Sequence, residues 1–406
     1  MTDRQRESMQ DAGQLARNRR VLIASAGMGF IGFTLSMAFL PMYIQQLGVT
    51  DQKSIALWTG LCFGVTPLIA GVISPFWARL AVRYGNKIMV ERAMLSFVII
   101  MALTARVTDV RLLFLLRFLQ GIFGGYAGMV LSMVASSSSK EDLGRHIGTL
   151  QSVQTFSTAA GPFLGGIISA AIGLRNTFYL SSCIYFASLL YVHFGYRERR
   201  GESHDGSQKE EAAPVKDVFR IAGFVPVFLV VFAIQYVDRS FGPVIPMYVA
   251  QVHGYGKGAA VLAGLILTSG SMAASIAAIW WGRQTLKKSA GALMITTTVA
   301  GTVVSLLMAI PGNTTSLLVL RVILGLTAGG TMTLAFSWGG MLIPARIRTS
   351  SFTVLASASL YAVAVSPLMS GLIMTLGVNL VFLANSIMYA MTFGLLFALR
   401  RRADET

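Results

Sequence analysis

Cysteine is almost absent: Cys62 and Cys183 are the only two in 406 residues. Both fall in apolar stretches, so no disulfide framework is on offer and neither thiol has the cationic, polar surroundings that activate one. The spacings that enzymes use are missing as well. No HExxH, no glycine-rich Walker loop and no nucleophile elbow occurs, which leaves zinc hydrolysis, ATP-driven pumping and serine-type acyl transfer without residues to perform them. The four histidines, His146, His193, His204 and His253, sit at the ends of apolar stretches or between them, with no metal-ligand spacing. No enzyme activity, metal or cofactor is expected. Charge is scarce too, at 12% of residues, and acids are scarcer than bases, 17 against 33.

What fills the chain instead is apolar: 54% hydrophobic residues and a mean hydropathy of +0.65, the composition of a polytopic membrane protein. A helix crosses the hydrocarbon core with about 20 residues. Twelve stretches meet that length: 21–44, 56–80, 88–107, 112–135, 147–172, 177–195, 226–250, 259–282, 290–310, 316–341, 350–376 and 380–399. The expected fold is an all-α membrane protein of 12 transmembrane helices in two pseudo-symmetric six-helix bundles. Its expected parts are a tail (1–20), a first bundle (21–195), a linker (196–225), a second bundle (226–399) and a short tail (400–406). Residues 1–20 are polar and the first apolar run is too long for a signal peptide, so the first helix is expected to direct insertion.

The net charge of +16 would suggest a nucleic-acid partner in a soluble protein. Sorting the bases by segment removes that need. With the N-terminus inside, 24 of the 33 lie on the cytoplasmic side, five on the opposite side, and four, Arg92, Arg117, Arg239 and Arg321, inside the membrane. This is the positive-inside pattern, and it puts both termini in the cytoplasm.

The two halves repeat each other at an offset of 204 to 205 residues. Pro41-Met42-Tyr43-Ile44 returns as Pro246-Met247-Tyr248-Val249, Trp77-Ala78-Arg79 as Trp281-Gly282-Arg283, Leu116-Arg117 with Gly121 as Leu320-Arg321 with Gly325, and Pro162-Phe163 as Pro367-Leu368. Six helices followed by six of the same polarity describe parallel repeats related by an axis along the membrane normal. Between them, residues 196–219 alternate acids and bases (RERRGESHDGSQKEE) and read as a solvated linker, with a short amphipathic helix at its end, around 215–221.

Several motifs carry a family resemblance. The fourth stretch holds LFLLRFLQGIFGG, with Arg117, Gln120, Gly121, Gly124 and Gly128 on one helical face. The fifth holds Gly148-Thr149-Leu150 and then Gly161-Pro162-Phe163-Leu164-Gly165-Gly166. The loop after the second reads Ala78-Arg79-Leu80-Ala81-Val82-Arg83-Tyr84-Gly85-Asn86-Lys87. Over nearly its whole length the chain resembles the major facilitator superfamily, and within it the MdtG-like drug exporters of the drug:proton antiporter group. The resemblance implies a secondary transporter that rocks its halves around a central cavity lined by the first, fourth, seventh and tenth helices. It implies a cavity role in proton transfer for Arg117, and antiport for the Gly161, Pro162, Gly165 and Gly166 motif. It implies a conformational role for Arg83, Gly85 and Lys87. The loop departs from the family pattern where Val82 replaces an aspartate of the cytoplasmic latch. Glu91 could substitute for it, or could simply pair with Arg92 at the interface.

Asp238 is the residue that packing does not ask for. Of the 17 acids only Glu91 and Asp238 fall within apolar stretches, and only Asp238 is near mid-membrane, about 12 residues or ~18 Å beyond Pro226. Burying such a charge costs roughly 2.5 to 3.5 kcal/mol on insertion scales. Desolvation favours a carboxyl's protonated form and a nearby arginine its ionised form, so a carboxylate between the two influences can exchange a proton for substrate. The MdtG-like pattern supplies no acid here, and a permanent ion pair with Arg239 or Arg321 is the plainer reading. Arg321 is either the counter-ion of Asp238 or, with Arg117, a clamp for an anion. Arg117 itself could equally be a structural arginine bonded to Gln120 and helix carbonyls. Repeat alignment places Phe33 opposite Asp238. Phe33, Arg117, Gln120, Gln235, Asp238 and Arg321 are the expected substrate-cavity residues, with Asp238 and Arg117 coupling protons.

The expected function is proton-coupled export of small amphipathic compounds across a bacterial inner membrane by a monomer whose partners are substrate, protons and lipids. Transport of an organic anion through Arg117 and Arg321 is the first alternative, and a non-transporting membrane sensor on the same fold is the second.

Overall fold

A computed structural model describes residues 3–137, 142–197, 219, 224–254, 256–285, 287–310, 312–342 and 348–404. These residues are helices joined by tight turns, with no strand among them. A chain this apolar has no water to satisfy its backbone in the hydrocarbon core, and helices satisfy it internally. In the first half the helices are α1 (Asp3–Met37), α2 (Leu40–Gln46), α3 (Gln52–Tyr84), α4 (Asn86–Thr104), α5 (Val110–Ile122), α6 (Tyr126–Ser136), α7 (Leu143–Ile172) and α8 (Leu174–Gly195). In the second they are α9 (Phe224–His253), α10 (Lys257–Gln284), α11 (Ala290–Ala309), α12 (Thr314–Ala328), α13 (Thr331–Leu342), α14 (Arg348–Met374) and α15 (Val378–Asp404).

Among the described residues, eleven helical stretches are long and apolar enough to cross a membrane. The remaining one of the twelve sequence stretches is α4, whose first two turns carry Lys87, Glu91 and Arg92. The fourth and tenth stretches are single spans interrupted once each. The fourth breaks between α5 and α6, where Gly125 takes φ +97°, a conformation that favours glycine. The tenth breaks at Gly329 and Gly330, between α12 and α13. The charged linker and its expected amphipathic helix lie outside the described residues apart from Phe219, whose ring packs edge-on against Phe224 and Phe228.

By its contacts the chain forms two compact units, Met1–Met37 with Ile69–Gln208, and Ala38–Leu68 with Lys209–Thr406. The first has a core of Val21, Leu22, Val90, Met94, Val130, Met133 and Leu150. The core of the second includes Phe224, Val227, Val231, Met294, Leu334 and Leu355. Segment 38–68 joins the second unit through glycine. A methyl group on Gly60 would sit 2.7 Å from both the Gly371 Cα and the Pro367 carbonyl oxygen, so the start of α3 and the middle of α14 touch backbone to backbone.

The sequence repeat reappears as repeated side-chain bonds. Ser182 Oγ donates to the Val98 carbonyl at 2.8 Å, and 204 residues later Ser386 Oγ donates to the Thr302 carbonyl at 2.9 Å.

Candidate functional site

In the second unit, α9 carries Asp238 midway along its length, and α12 brings Arg321 toward it. The Asp238 side chain is 53% exposed and that of Arg321 only 5%. Their closest approach, Arg321 Nη2 to Asp238 Oδ1, is 4.0 Å, and Arg239 Nε lies 3.8 Å from Asp238 Oδ2. Both distances allow Coulomb attraction and exceed hydrogen-bond length. The Arg321 guanidinium is held instead over the Phe241 ring, 4.0 Å from its centroid. Gly270 makes room for it: a methyl group there would meet Arg321 Cγ at 2.6 Å and Nε at 2.8 Å. Arg321 Nε is buried with no hydrogen-bond partner. Tyr389 of α15, buried in the notch left by Gly301, lies near both Arg321 and Asp238. Gln235, one turn before Arg239, turns its amide oxygen to accept from Arg239 Nε at 2.9 Å and Nη2 at 3.1 Å. Two guanidinium groups thus face one carboxylate, and neither is bonded to it.

In the first unit Arg117 is fully buried and well supplied with acceptors. Its Nη1 donates to Gln120 Oε1 at 2.6 Å and to Met37 Sδ at 3.1 Å, and its Nη2 donates to Thr104 Oγ1 at 2.8 Å. The three acceptors come from the next turn of α5, the last residue of α1 and the last residue of α4.

These contacts correct the repeat register. Met37 meets Arg117 and Phe241 meets Arg321, each pair 204 residues apart. Asp238, three residues before Phe241, therefore corresponds to Thr34, three before Met37, and not to Phe33. The extra residue that shifts the Pro41 and Pro246 motifs to 205 falls at the break between α1 and α2, where α9 runs on without interruption. Phe33 is half-buried on α1 and makes no hydrogen bond or ring contact with the Arg117 cluster.

Thr34 has another task. Its Oγ1 donates to the Phe30 carbonyl at 2.8 Å and to the Ser157 carbonyl of α7 at 3.4 Å. A methyl group on Gly161 would collide with that hydroxyl, and one on Gly165 with the Leu35 carbonyl oxygen, so the motif seats α7 directly on α1. Pro162 is buried inside α7, and the Gly166 carbonyl accepts from Ser169 Oγ at 3.1 Å.

At the signature loop Gly85 takes φ +90° and caps the start of α4. Lys87 Nζ donates to the carbonyls of His193 (2.8 Å) and Tyr196 (2.9 Å), the orphan acceptors at the end of α8. Arg83 is exposed, 5.4 Å over the Tyr84 ring. The side chain of Val82 lies outside the described residues. Glu91 does not pair with Arg92: it approaches Lys87 Nζ (3.8 Å) and His193 Nδ1 (3.2 Å). Arg92 stacks 3.3 Å over the Trp77 ring and donates to the carbonyls of Phe123 and Gly124. Neighbours in a helix point about 100° apart, which separates residues 91 and 92 onto different partners.

Among the described residues no three His, Cys, Asp or Glu side chains gather as a metal site. A profile described as Major Facilitator Superfamily matches residues 21–292. The chain belongs to the Major Facilitator Superfamily. Among curated relatives of this transporter are proteins named multidrug resistance protein MdtG. The one from Dickeya zeae (strain Ech586) is 28% identical over 326 residues, 80% of each chain. That from Citrobacter koseri (strain ATCC BAA-895 / CDC 4225-83 / SGSC4696) is 29% identical over 320 residues, 77% of this chain and 78% of the relative. Solved structures share the fold at much lower identity. A bacterial homolog to the human lysosomal transporter Spinster, inward-facing and unoccupied, superposes with a TM-score of 0.78 at 14% identity over 96% of this chain and 97% of that one. The nucleoside transporter NupG gives 0.71 at 13% over 94% and 98%. The human organic anion transporter MFSD10 gives 0.66 at 13% over 94% and 99%. The protein is therefore an integral membrane transporter of small molecules and not an enzyme, as the motifs led us to expect.

Sequence reasoning missed Met37, Thr104, Gly270 and Tyr389. Thr104, a lone hydroxyl at the end of an apolar stretch, was the one with a readable signal. Gly270 and Tyr389 matter only through what α12 and α11 bring against them.

Proposed function

We propose that this transporter couples export of small amphipathic compounds to proton entry by alternating access, with Asp238 as the proton carrier. One observation supports this above the others: the Asp238 carboxylate is half-exposed in the middle of α9 and attracted by two arginines, yet bonded to neither. Such a carboxylate can gain and lose a proton without breaking a hydrogen bond first. Arg117 supports the same assignment by contrast, since its Nη1 and Nη2 donate to Gln120, Thr104 and Met37. In this proposal Arg117 and Gln120 shape the substrate path of the first unit. Gln235 and Arg321 shape that of the second, and Phe33 adds apolar surface. Gly161, Pro162, Gly165 and Gly166 serve the change of state together with Arg83, Gly85 and Lys87. The two bundles, residues 21–195 and 226–399, are the working halves. The curated relatives are named for multidrug resistance, and removal of a drug from the cell is the direction of transport that would confer it.

A second reading, an organic anion as substrate, is favoured by the surplus of positive charge around Asp238 and by the unpartnered Nε of Arg321. The distribution of basic residues supports a bacterial inner membrane location with both termini cytoplasmic. We propose a monomer.

The test uses the purified protein in phosphatidylethanolamine–phosphatidylglycerol liposomes with the pH dye pyranine trapped inside. Ethidium, chloramphenicol and fluorescein serve as cationic, neutral and anionic probes. Proton movement that depends on ethidium or chloramphenicol is the expected result, and movement with fluorescein alone selects the anion reading. Probe binding without flux of probe or proton overturns both and leaves a sensor on a transporter fold.

A further inference from the structure

We infer that Phe241 is a positioning residue that holds Arg321 just short of Asp238 and so keeps the carboxylate able to take a proton. The inference rests on the proposal that Asp238 carries the proton. The ring and the carboxylate compete for one cation. A guanidinium within about 6 Å of an aromatic face is attracted by the ring quadrupole, more strongly where water is excluded. Phe241 is 2% exposed and braced by the Phe382 ring at 6.3 Å, so it cannot swing away. With Arg321 Cζ 4.0 Å above that ring, its nearest nitrogen stays 4.0 Å from the carboxylate. A charge-assisted N–H···O bond is shorter, about 2.7 to 2.9 Å, and roughly twice as strong as a neutral one. The first unit shows the alternative: at the same repeat position Met37 accepts a bond from Arg117, which is locked. The groups that face Asp238 are Arg239 on its own helix, Arg321 on α12 and Tyr389 on α15. Of these, only Arg321 is held by the ring.

Without the ring, Arg321 closes on the carboxylate and stabilises its ionised form. The test is an infrared pH titration of the full chain in lipid nanodiscs, following the carbonyl stretch of the protonated Asp238 carboxyl, which is identified by its loss in Asp238→Asn. Phe241→Leu should move the midpoint of that band to lower pH by about one unit. Phe241→Tyr, which keeps the ring, should restore the native midpoint. A folded Phe241→Leu protein with a native midpoint overturns the inference, as does an equal shift in Phe241→Tyr. If the leucine variant does not fold, Phe241→Ile, which also lacks both a ring and an acceptor, carries the same comparison. A native protein with no band lost in Asp238→Asn at any pH removes the proton-carrier proposal itself, an outcome separate from failure of the Phe241 variants alone.

Discussion

Trp77 and Trp281 make the same hydrogen bond in the two halves of the chain: each indole Nε1 donates to the backbone carbonyl 45 residues further on, Ile122 at 2.6 Å and Leu326 at 3.1 Å. In both halves that carbonyl belongs to the helix just before its break. Among the described residues only the first half adds a cation. Arg92 lies over the Trp77 ring and takes the next two carbonyls, Phe123 and Gly124, whereas its repeat position is Thr296, which bonds the Leu293 carbonyl of its own helix.

Removing that cation should loosen one break and spare the other. Arg92→Gln is expected to speed amide hydrogen exchange around 123–128 by about tenfold or more, matching the ~1.5 to 3 kcal/mol of a bond to a charged group. Exchange around 327–332 should not change. Equal effects at both breaks would show that Arg92 does not act locally.

Thr104→Val tests whether Arg117 is a structural arginine. The substitution removes the acceptor of Nη2 in a buried site, and should cost about 1 to 3 kcal/mol of stability. Thermal unfolding in detergent measures it, and a loss below a few tenths of a kcal/mol would mean that Arg117 finds another acceptor.

Gly165→Ala forces a methyl group into the Leu35 carbonyl and should destabilise the α1–α7 contact by about 1 to 3 kcal/mol. Gly148→Ala, on the same helix, meets open space and should be neutral or stabilising by up to ~1 kcal/mol. Equal melting shifts for the two would contradict the packing described for α7.

Asp238→Asn keeps the size of the side chain and removes its proton. It is expected to abolish flux driven by a pH gradient while leaving probe-for-probe exchange measurable in the same liposomes. Full gradient-driven flux in this variant would take Asp238 out of the mechanism.

Asp51 caps the start of α3, where its Oδ2 accepts from the Ser54 hydroxyl at 2.8 Å and the Ser54 N–H at 2.9 Å. These bonds, the hydroxyl first, hold its carboxyl below the usual carboxylate range. A lowered value means that the cap contributes stability at pH above the ordinary carboxylate range and loses it as pH falls through the lowered one. Asp51→Ala should therefore lower the melting temperature at pH 7, with a smaller difference near pH 3. A difference that stays constant with pH would assign the effect to the backbone.

Much of this protein was legible in the chain. Hydropathy marked the spans, including the two that break, and the 204-residue offset marked the repeat. Asp238 and the arginines declared themselves because a charge in an apolar helix is costly wherever it ends up. Their partners did not. Sequence left Glu91 open either to pair with Arg92 or to stand in for the missing acid, Arg117 open between proton transfer and a structural role, and Arg321 open between counter-ion and anion clamp.

The sequence by itself determined membrane class, the apolar stretches, the repeat and the identity of the charges near mid-membrane, because each is read from residues taken one at a time. The tertiary structure alone decided that both terminal nitrogens of Arg117 are hydrogen-bonded while Arg321 rests on a ring, that Thr34 and not Phe33 is the repeat counterpart of Asp238, and that Arg92 serves a helix break. Those outcomes depend on side chains delivered by helices far apart in the chain, and on one extra residue at the end of α1. A difference of an ångström between a contact and a hydrogen bond is fixed by packing, and no local pattern records it.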